Sequence, residues 1–206
     1  MILLKNVIIV DNNSKLHLKK RDLLIKNGKI TQIAVSIENE EARVIEKENL
    51  HVSIGWFDSS VSFGEPGFEE RQSLKNGLET AAKSGFTTIM LNPNNKPNPQ
   101  DESGINYLKG KSAGEAVTVL PVGNFTLNQD GKHLAELYDM QQAGAVSFYD
   151  FKKSINNTNL LKVGLQYVKS FDGIIQSYPQ DNDLACLLYT SPSPRDQRGS
   201  RMPSSA

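Results

Sequence analysis

The side chains best able to hold a metal ion or move a proton are scarce in this chain. His17, His51 and His133 stand 34 and 82 residues apart, so no pair has the short spacing by which one strand or one helical turn aims two imidazoles at a metal. Cys186 is the only cysteine, which rules out a disulfide within the chain and fits a reducing compartment. What remains is a set of carboxylates, amides and amines: Asp58 in FDSSVSF, Asn94 in LNPNNKP, Asp150 in FYDF, and the pair Lys152 and Lys153. Each has a plain role open to it. Asp58 could be a buried structural carboxylate, Asn94 a residue of an Asn/Pro-rich turn, Asp150 a hydrogen-bond acceptor, and the adjacent lysines a solvated surface. His133 reads as a surface residue at the start of a helix, and Glu65-Pro66-Gly67 as a turn.

The elements that must position these groups fall into two patterns. Residues 1–53 read as β structure, with DLLIKNGKITQIAV placing Asn27-Gly28 between two apolar alternating runs, a strong hairpin signal. From Ile54 short apolar runs alternate with helix-length amphipathic segments. Strands are expected at about 54–63, 87–91, 118–122, 145–149 and 173–176, and helices at about 69–84, 101–108, 133–143 and 159–171. Leu74, Leu78, Ala81 and Ala82 form one helical stripe, and Leu134, Leu137, Met140 and Gln141 a less perfect one. Gly85, Gly144 and Gly173 are placed to cap helices in the left-handed conformation. The expected class is α/β: a small N-terminal β-sandwich part over 1–53, then an incomplete (β/α) TIM-type barrel over 54–185. A full eight-unit barrel takes roughly 250 residues, so about four and a half units are expected here. Reactive groups of such barrels sit at the C-terminal ends of the strands.

Composition excludes several classes. Lys+Arg and Asp+Glu balance at 23 each and aromatics reach only 7%, so neither a nucleic-acid footprint nor an acidic tail is indicated. The apolar start, Met1 to Val10, is too short for a signal peptide or a membrane span, which makes a cytoplasmic address the expectation. Residues 186–206, CLLYTSPSPRDQRGSRMPSSA, lose apolar periodicity and gather Ser, Pro and Arg. They resemble a translated transposase-type sequencing adapter, and are expected to be a non-native tail beyond a natural sequence that stops near Ala185. Three Arg and one Asp go with that tail, leaving 20 basic against 22 acidic residues.

HVSIGWFDSSVSFGEPGFEE, then FTTIMLNPNNKP, GAVSFYDF and LLKVGLQYVKSFDGIIQSYPQD, taken in order, resemble the dihydroorotase branch of the amidohydrolase superfamily. That resemblance implies a β-sandwich with a distorted barrel, and a zinc-activated water that hydrolyses a cyclic amide in pyrimidine biosynthesis. The branch's first strand ends in Asp-x-His-x-His, whose alternation sets both imidazoles on one face; the matching residues here are Asp58, Ser60 and Ser62. The arginine that grips the substrate carboxylate is matched by Gly64. A further histidine ligand is matched by Tyr178, within Tyr178-Pro179-Gln180-Asp181. Asp150 falls at or beside a fourth-strand ligand position, and Asn94 matches the substrate-binding asparagine.

A serine hydroxyl is a poor zinc ligand beside a neutral imidazole, so no cofactor is expected although active members use zinc. The resemblance thus implies a metal-deficient homologue with no catalytic residue of its own and with Asp150 as a vestigial ligand. Such a protein would scaffold aspartate carbamoyltransferase or a dihydroorotase paralogue, as a homo-oligomer in its full-length form, without nucleic acid or membrane. The alternative is an active dihydroorotase or related cyclic amidohydrolase that hydrolyses a cyclic amide C–N bond with metal-activated water, binding the metal through unusual ligands or through residues beyond this stretch of sequence.

Overall fold

The computed structural model describes residues 1–180, so Asp181, Cys186 and the adapter-like tail lie outside the described residues. The chain divides into two compact units, Met1–Trp56 and the part from Phe57 onward.

The first unit is one mixed sheet. Strands β1 (Ile2–Val10), β2 (Lys20–Lys26), β3 (Lys29–Ala34), β4 (Arg43–Glu46) and β5 (His51–Ser53) lie in the order β3-β2-β1-β4, with β5 also on β1. The β2–β3 hairpin turns at Asn27 (φ 51°) and Gly28 (φ 74°). Positive φ at both positions matches the twist of the flanking strands, and Asn-Gly adopts it at little cost. Leu3, Val7, Ile9 and Leu23 are buried. β1 changes register between Leu4 and Val7, and there Asp22, 3% exposed, accepts the Asn6 N–H at 2.9 Å and the Ile37 N–H at 3.0 Å. A β-sandwich needs two facing layers; residues 1–56 supply one, and Ile30 and Ile33 of β3 stay exposed.

The second unit alternates strand and helix. Strands β6 (Trp56–Val61), β7 (Phe86–Leu91), β8 (Thr118–Gly123) and β9 (Ser147–Phe148) form a sheet in that order, parallel from β7 to β9. Helices α1 (Leu74–Lys83), α2 (Glu102–Lys111), α3 (Leu137–Ala143) and α4 (Thr158–Val168) follow in turn. The strand expected at 173–176 is reduced to one parallel bridge between Ile175 and Phe148. Parallel strands joined by helices are the construction of an incomplete α/β barrel.

Two apolar clusters cement strands to helices. One joins Phe63, Leu74, Leu78, Ile89, Leu91 and Val119, with Ala81 and Ala82 packed against it, so the first predicted stripe faces the sheet. Gly77 lets α1 approach closely: a Cβ there would lie 2.4 Å from Phe63 Cε1. The other cluster gathers Phe125, Leu137, Met140, Phe148 and Val168.

Several boundaries differ from the sequence reading, three of them for reasons the hydrogen bonding and backbone show. α1 starts at Leu74 because Gly64 and Gln72 pair across a turn, Gly64 N to Gln72 O at 3.0 Å, and Ser73 caps the helix through Asn76 N. α3 starts at Leu137 because residues before it are extended, with Leu134 bridging Thr126 and Ala135 N bonding Phe125 O. Gly85 and Gly144 have the left-handed φ expected of caps, but Asp172 (φ 54°) takes that role in place of Gly173. No helix among the described residues is long and apolar enough to cross a membrane.

Candidate functional site at the strand ends

β6 delivers Asp58 and Ser60 and leads into Ser62. Asp58 is half-buried and its carboxylate accepts the Ser60 N–H at 3.0 Å, a local turn-type contact. Ser60 and Ser62 are exposed and share one partner. Asn92, just past β7 and 2% exposed, donates from its side-chain nitrogen to Ser60 Oγ at 3.1 Å and Ser62 Oγ at 3.2 Å.

Gly64 follows, in a place that admits no side chain. A Cβ there would lie 2.0 Å from the Phe68 carbonyl oxygen and 3.0 Å from that of Gln72. Glu65, read from sequence only as part of a turn, is a junction. Its carboxylate accepts the Leu74 N–H at the start of α1 at 2.8 Å and pairs with Lys111 at 3.6 Å, where a negative charge suits a helix N-terminus.

The loop after β7 carries Asn94, whose side-chain nitrogen donates to Phe63 O at 3.1 Å. Asn94 thereby ties its loop to the end of β6. Asn94, Asn95, Lys96, Asn98, Arg71, Gln129 and Lys153 line one open cavity of about 460 Å³, with three cations and no carboxylate among them.

Asp150 lies two residues past the end of β9 and is 2% exposed. One oxygen accepts the Phe125 and Thr126 N–H groups at 3.0 and 2.9 Å; the other accepts the Thr126 hydroxyl. Burial pushes its pKa up, countered by the Thr126 and Phe125 hydrogen bonds and by Lys153, with the net shift upward. Gln129 joins neighbouring loops: its side-chain nitrogen donates to Pro93 O and to Asn124 Oδ1 at 2.9 Å, and its carbonyl accepts Lys153 Nζ at 3.0 Å. Lys153 is therefore more than a solvated amine, while Lys152 lies over the Phe151 ring at 5.2 Å. Sequence reasoning passed over Asn92, Thr126 and Gln129, since an amide or hydroxyl in a loop carries no periodic signal.

Tyr178 is half-buried and its carbonyl accepts Gln180 N at 2.8 Å. The histidines serve local ends: His17 Nδ1 accepts the Asp11 N–H at 3.1 Å, His51 Nδ1 lies 2.6 Å from Asn49 O, and His133 is exposed. The structure thus joins Ser60 and Ser62 through Asn92, and Asp150 to the β8 loop. It does not assemble a ligand shell from Asp150, Ser60, Ser62 and Tyr178: among the described residues no three His, Cys, Asp or Glu side chains converge. Zinc sites use three or four strong donors, and two hydroxyls already accepting from an amide do not fit that requirement.

The sequence profile of the dihydro-orotase-like proteins matches residues 51–186. The chain belongs to the dihydro-orotase-like family. It is 35% identical to a dihydroorotase of Syntrophus aciditrophicus over 187 residues, covering 89% of this chain and 44% of that protein. A dihydroorotase of Pelotomaculum thermopropionicum is 32% identical over 184 residues, with 89% and 43% covered. The chain thus spans less than half the length of these curated relatives. Among solved structures, an L-hydantoinase (dihydropyrimidinase) from Arthrobacter aurescens superposes with TM-score 0.67 at 23% identity, covering 84% of this chain and 39% of that one. A crystal structure of a dihydroorotase gives 0.58 at 15%, covering 84% and 49%. At these identities the superpositions establish a shared fold. The dihydro-orotase-like match spans β6 to β9 and every strand-end loop described above.

Proposed function

We propose that this chain is part of a dihydroorotase-like amidohydrolase homologue of pyrimidine biosynthesis that works without a zinc site. Its role is that of a non-catalytic scaffold for aspartate carbamoyltransferase or a dihydroorotase paralogue. The observation that carries this reading is the hydrogen bonding of Asn92 to both Ser60 and Ser62, at the positions that the family resemblance gives to two histidine ligands. Neutral hydroxyls in place of imidazoles remove most of the affinity for zinc. Asp150, the carboxylate at or beside the fourth-strand ligand position, has both oxygens engaged by the loop after β8. Gly64, at the position given to the carboxylate-gripping arginine, has no room for a side chain.

Zinc content by elemental analysis and dihydroorotate turnover, measured on this chain and on the longest form of the protein, test the first half. The expected result is background zinc and no turnover; stoichiometric zinc with turnover overturns the reading. Co-purification with aspartate carbamoyltransferase or a catalytically competent dihydroorotase tests the second half. Failure of both to associate removes the scaffold role.

A further inference from the structure

The Asn92 contact sets the polarity of the site. Ser60 and Ser62 are two residues apart and face the same way, and both oxygens lie within 3.2 Å of one nitrogen. That nitrogen is fixed, because Asn92 is buried and its backbone N–H donates to Val61 O at 2.8 Å. A serine hydroxyl has one proton and two lone pairs. With a lone pair on each oxygen taken by the Asn92 amide, two protons remain to be donated outward, and both serines are exposed. A pair of imidazole lone pairs would face a cation; this pair of O–H groups faces an acceptor. Asp58, also on β6, has a carboxylate oxygen engaged by the Ser60 N–H at 3.0 Å. Three cations, Arg71, Lys96 and Lys153, line a cavity among the strand-end loops that has no carboxylate in its lining, and Ser62 itself lines another with Asp58, so the positive potential comes from the loops and not from β6.

We infer that Ser60, Ser62 and Asn92 form a carboxylate-binding site, with the two hydroxyls donating to the oxygens of a small organic acid. The inference rests on the zinc-free reading above and adds a ligand class to it. Neutral donors hold such a ligand loosely, so binding falls in the millimolar range, about 1–10 mM.

Succinate and zinc chloride, each titrated into the full 206-residue chain and followed by the Asn92 side-chain and Ser60 and Ser62 backbone NMR signals, test it. Succinate is expected to shift all three saturably, and Ser60→Ala with Ser62→Ala to weaken binding roughly tenfold, the worth of a lost hydrogen bond or two. Asn92→Asp, nearly isosteric, is expected to abolish it, because a carboxylate draws both hydroxyl protons inward and repels the anion. The retained amide spectrum reports folding in each variant, and the serine variant alone decides the matter if Asn92→Asp does not fold. Succinate binding unchanged in the serine variant overturns the inference, as does no saturable shift up to about 100 mM, ten times the weakest expected Kd. Zinc at stoichiometry on the same signals overturns both this inference and the zinc-free reading; neither ligand binding overturns this inference alone.

Discussion

Asp150 and Thr126 are joined twice: the Thr126 backbone N–H donates to Asp150 Oδ1 at 2.9 Å and the Thr126 hydroxyl donates to Asp150 Oδ2. The same hydroxyl oxygen accepts the Gly131 N–H at 3.0 Å. The carboxylate therefore organises the loop after β8 from a position after β9. Asp150→Ala would leave buried N–H groups on Phe125 and Thr126 without partners. The expected loss is roughly 3 kcal/mol, against about 1 kcal/mol for Asp150→Asn, which keeps an acceptor. Urea unfolding of the two variants checks the ratio.

The same carboxylate carries a pH signature. Burial raises its folded pKa above the unfolded value of 3.8, so the folded chain holds this proton more tightly than the unfolded one. Its contribution to stability is complete below the unfolded value and is lost as pH rises through the folded value. Asp101 runs the other way: the Ser103 hydroxyl and the Gly104 N–H lower its pKa, so its stabilisation is lost as pH falls through that lowered value. The difference between wild type and Asp150→Asn isolates the first effect. It is expected to favour wild type more as pH falls through the acid range, and a pH-independent difference would contradict it.

Gly64→Arg is expected to destabilise rather than to restore a carboxylate grip. Its Cβ would meet the Phe68 carbonyl oxygen at 2.0 Å, so backbone must move. A cost of about 3 kcal/mol or more is expected, at the upper end of overpacking. Thermal unfolding of Gly64→Ala alongside Gly64→Arg separates the cost of the Cβ, expected in both, from that of the longer side chain.

Gln129 sits at φ 54°, a conformation that costs a non-glycine residue on the order of 1 kcal/mol. It stays there because its amide bonds Pro93 O and Asn124 Oδ1. Gln129→Ala keeps the strained backbone and leaves both acceptors short of a donor, for an expected loss of about 2 kcal/mol. Gln129→Gly relieves the strain and is expected to be the milder of the two in the same denaturation assay.

Much of this architecture was legible in the sequence. Asn27-Gly28 announced its hairpin, and the Leu74–Leu78 stripe announced the face of α1, because both depend on local periodicity or backbone preference. The start of α3 was not: Leu134 and Ala135 read as helical, but pairing with Thr126 and Phe125 holds them extended, a tertiary effect. The strand ends themselves could be placed in order, and with them Ser60, Ser62, Asn94 and Asp150. What those residues touch could not. Asn92 meets Ser60 and Ser62, and Gln129 meets Pro93, across about 30 residues or more of sequence, and no pattern along the chain encodes that meeting.

The Gln129 contacts also have a mechanical consequence. One residue sutures the loop after β7 through Pro93, its own loop through Asn124, and the loop after β9 through Lys153. Three segments fastened at a common rivet open together, so their amide protons would exchange with solvent as one cooperative group. At the strand ends these fastenings come from the side-chain amide and main-chain carbonyl of a single glutamine.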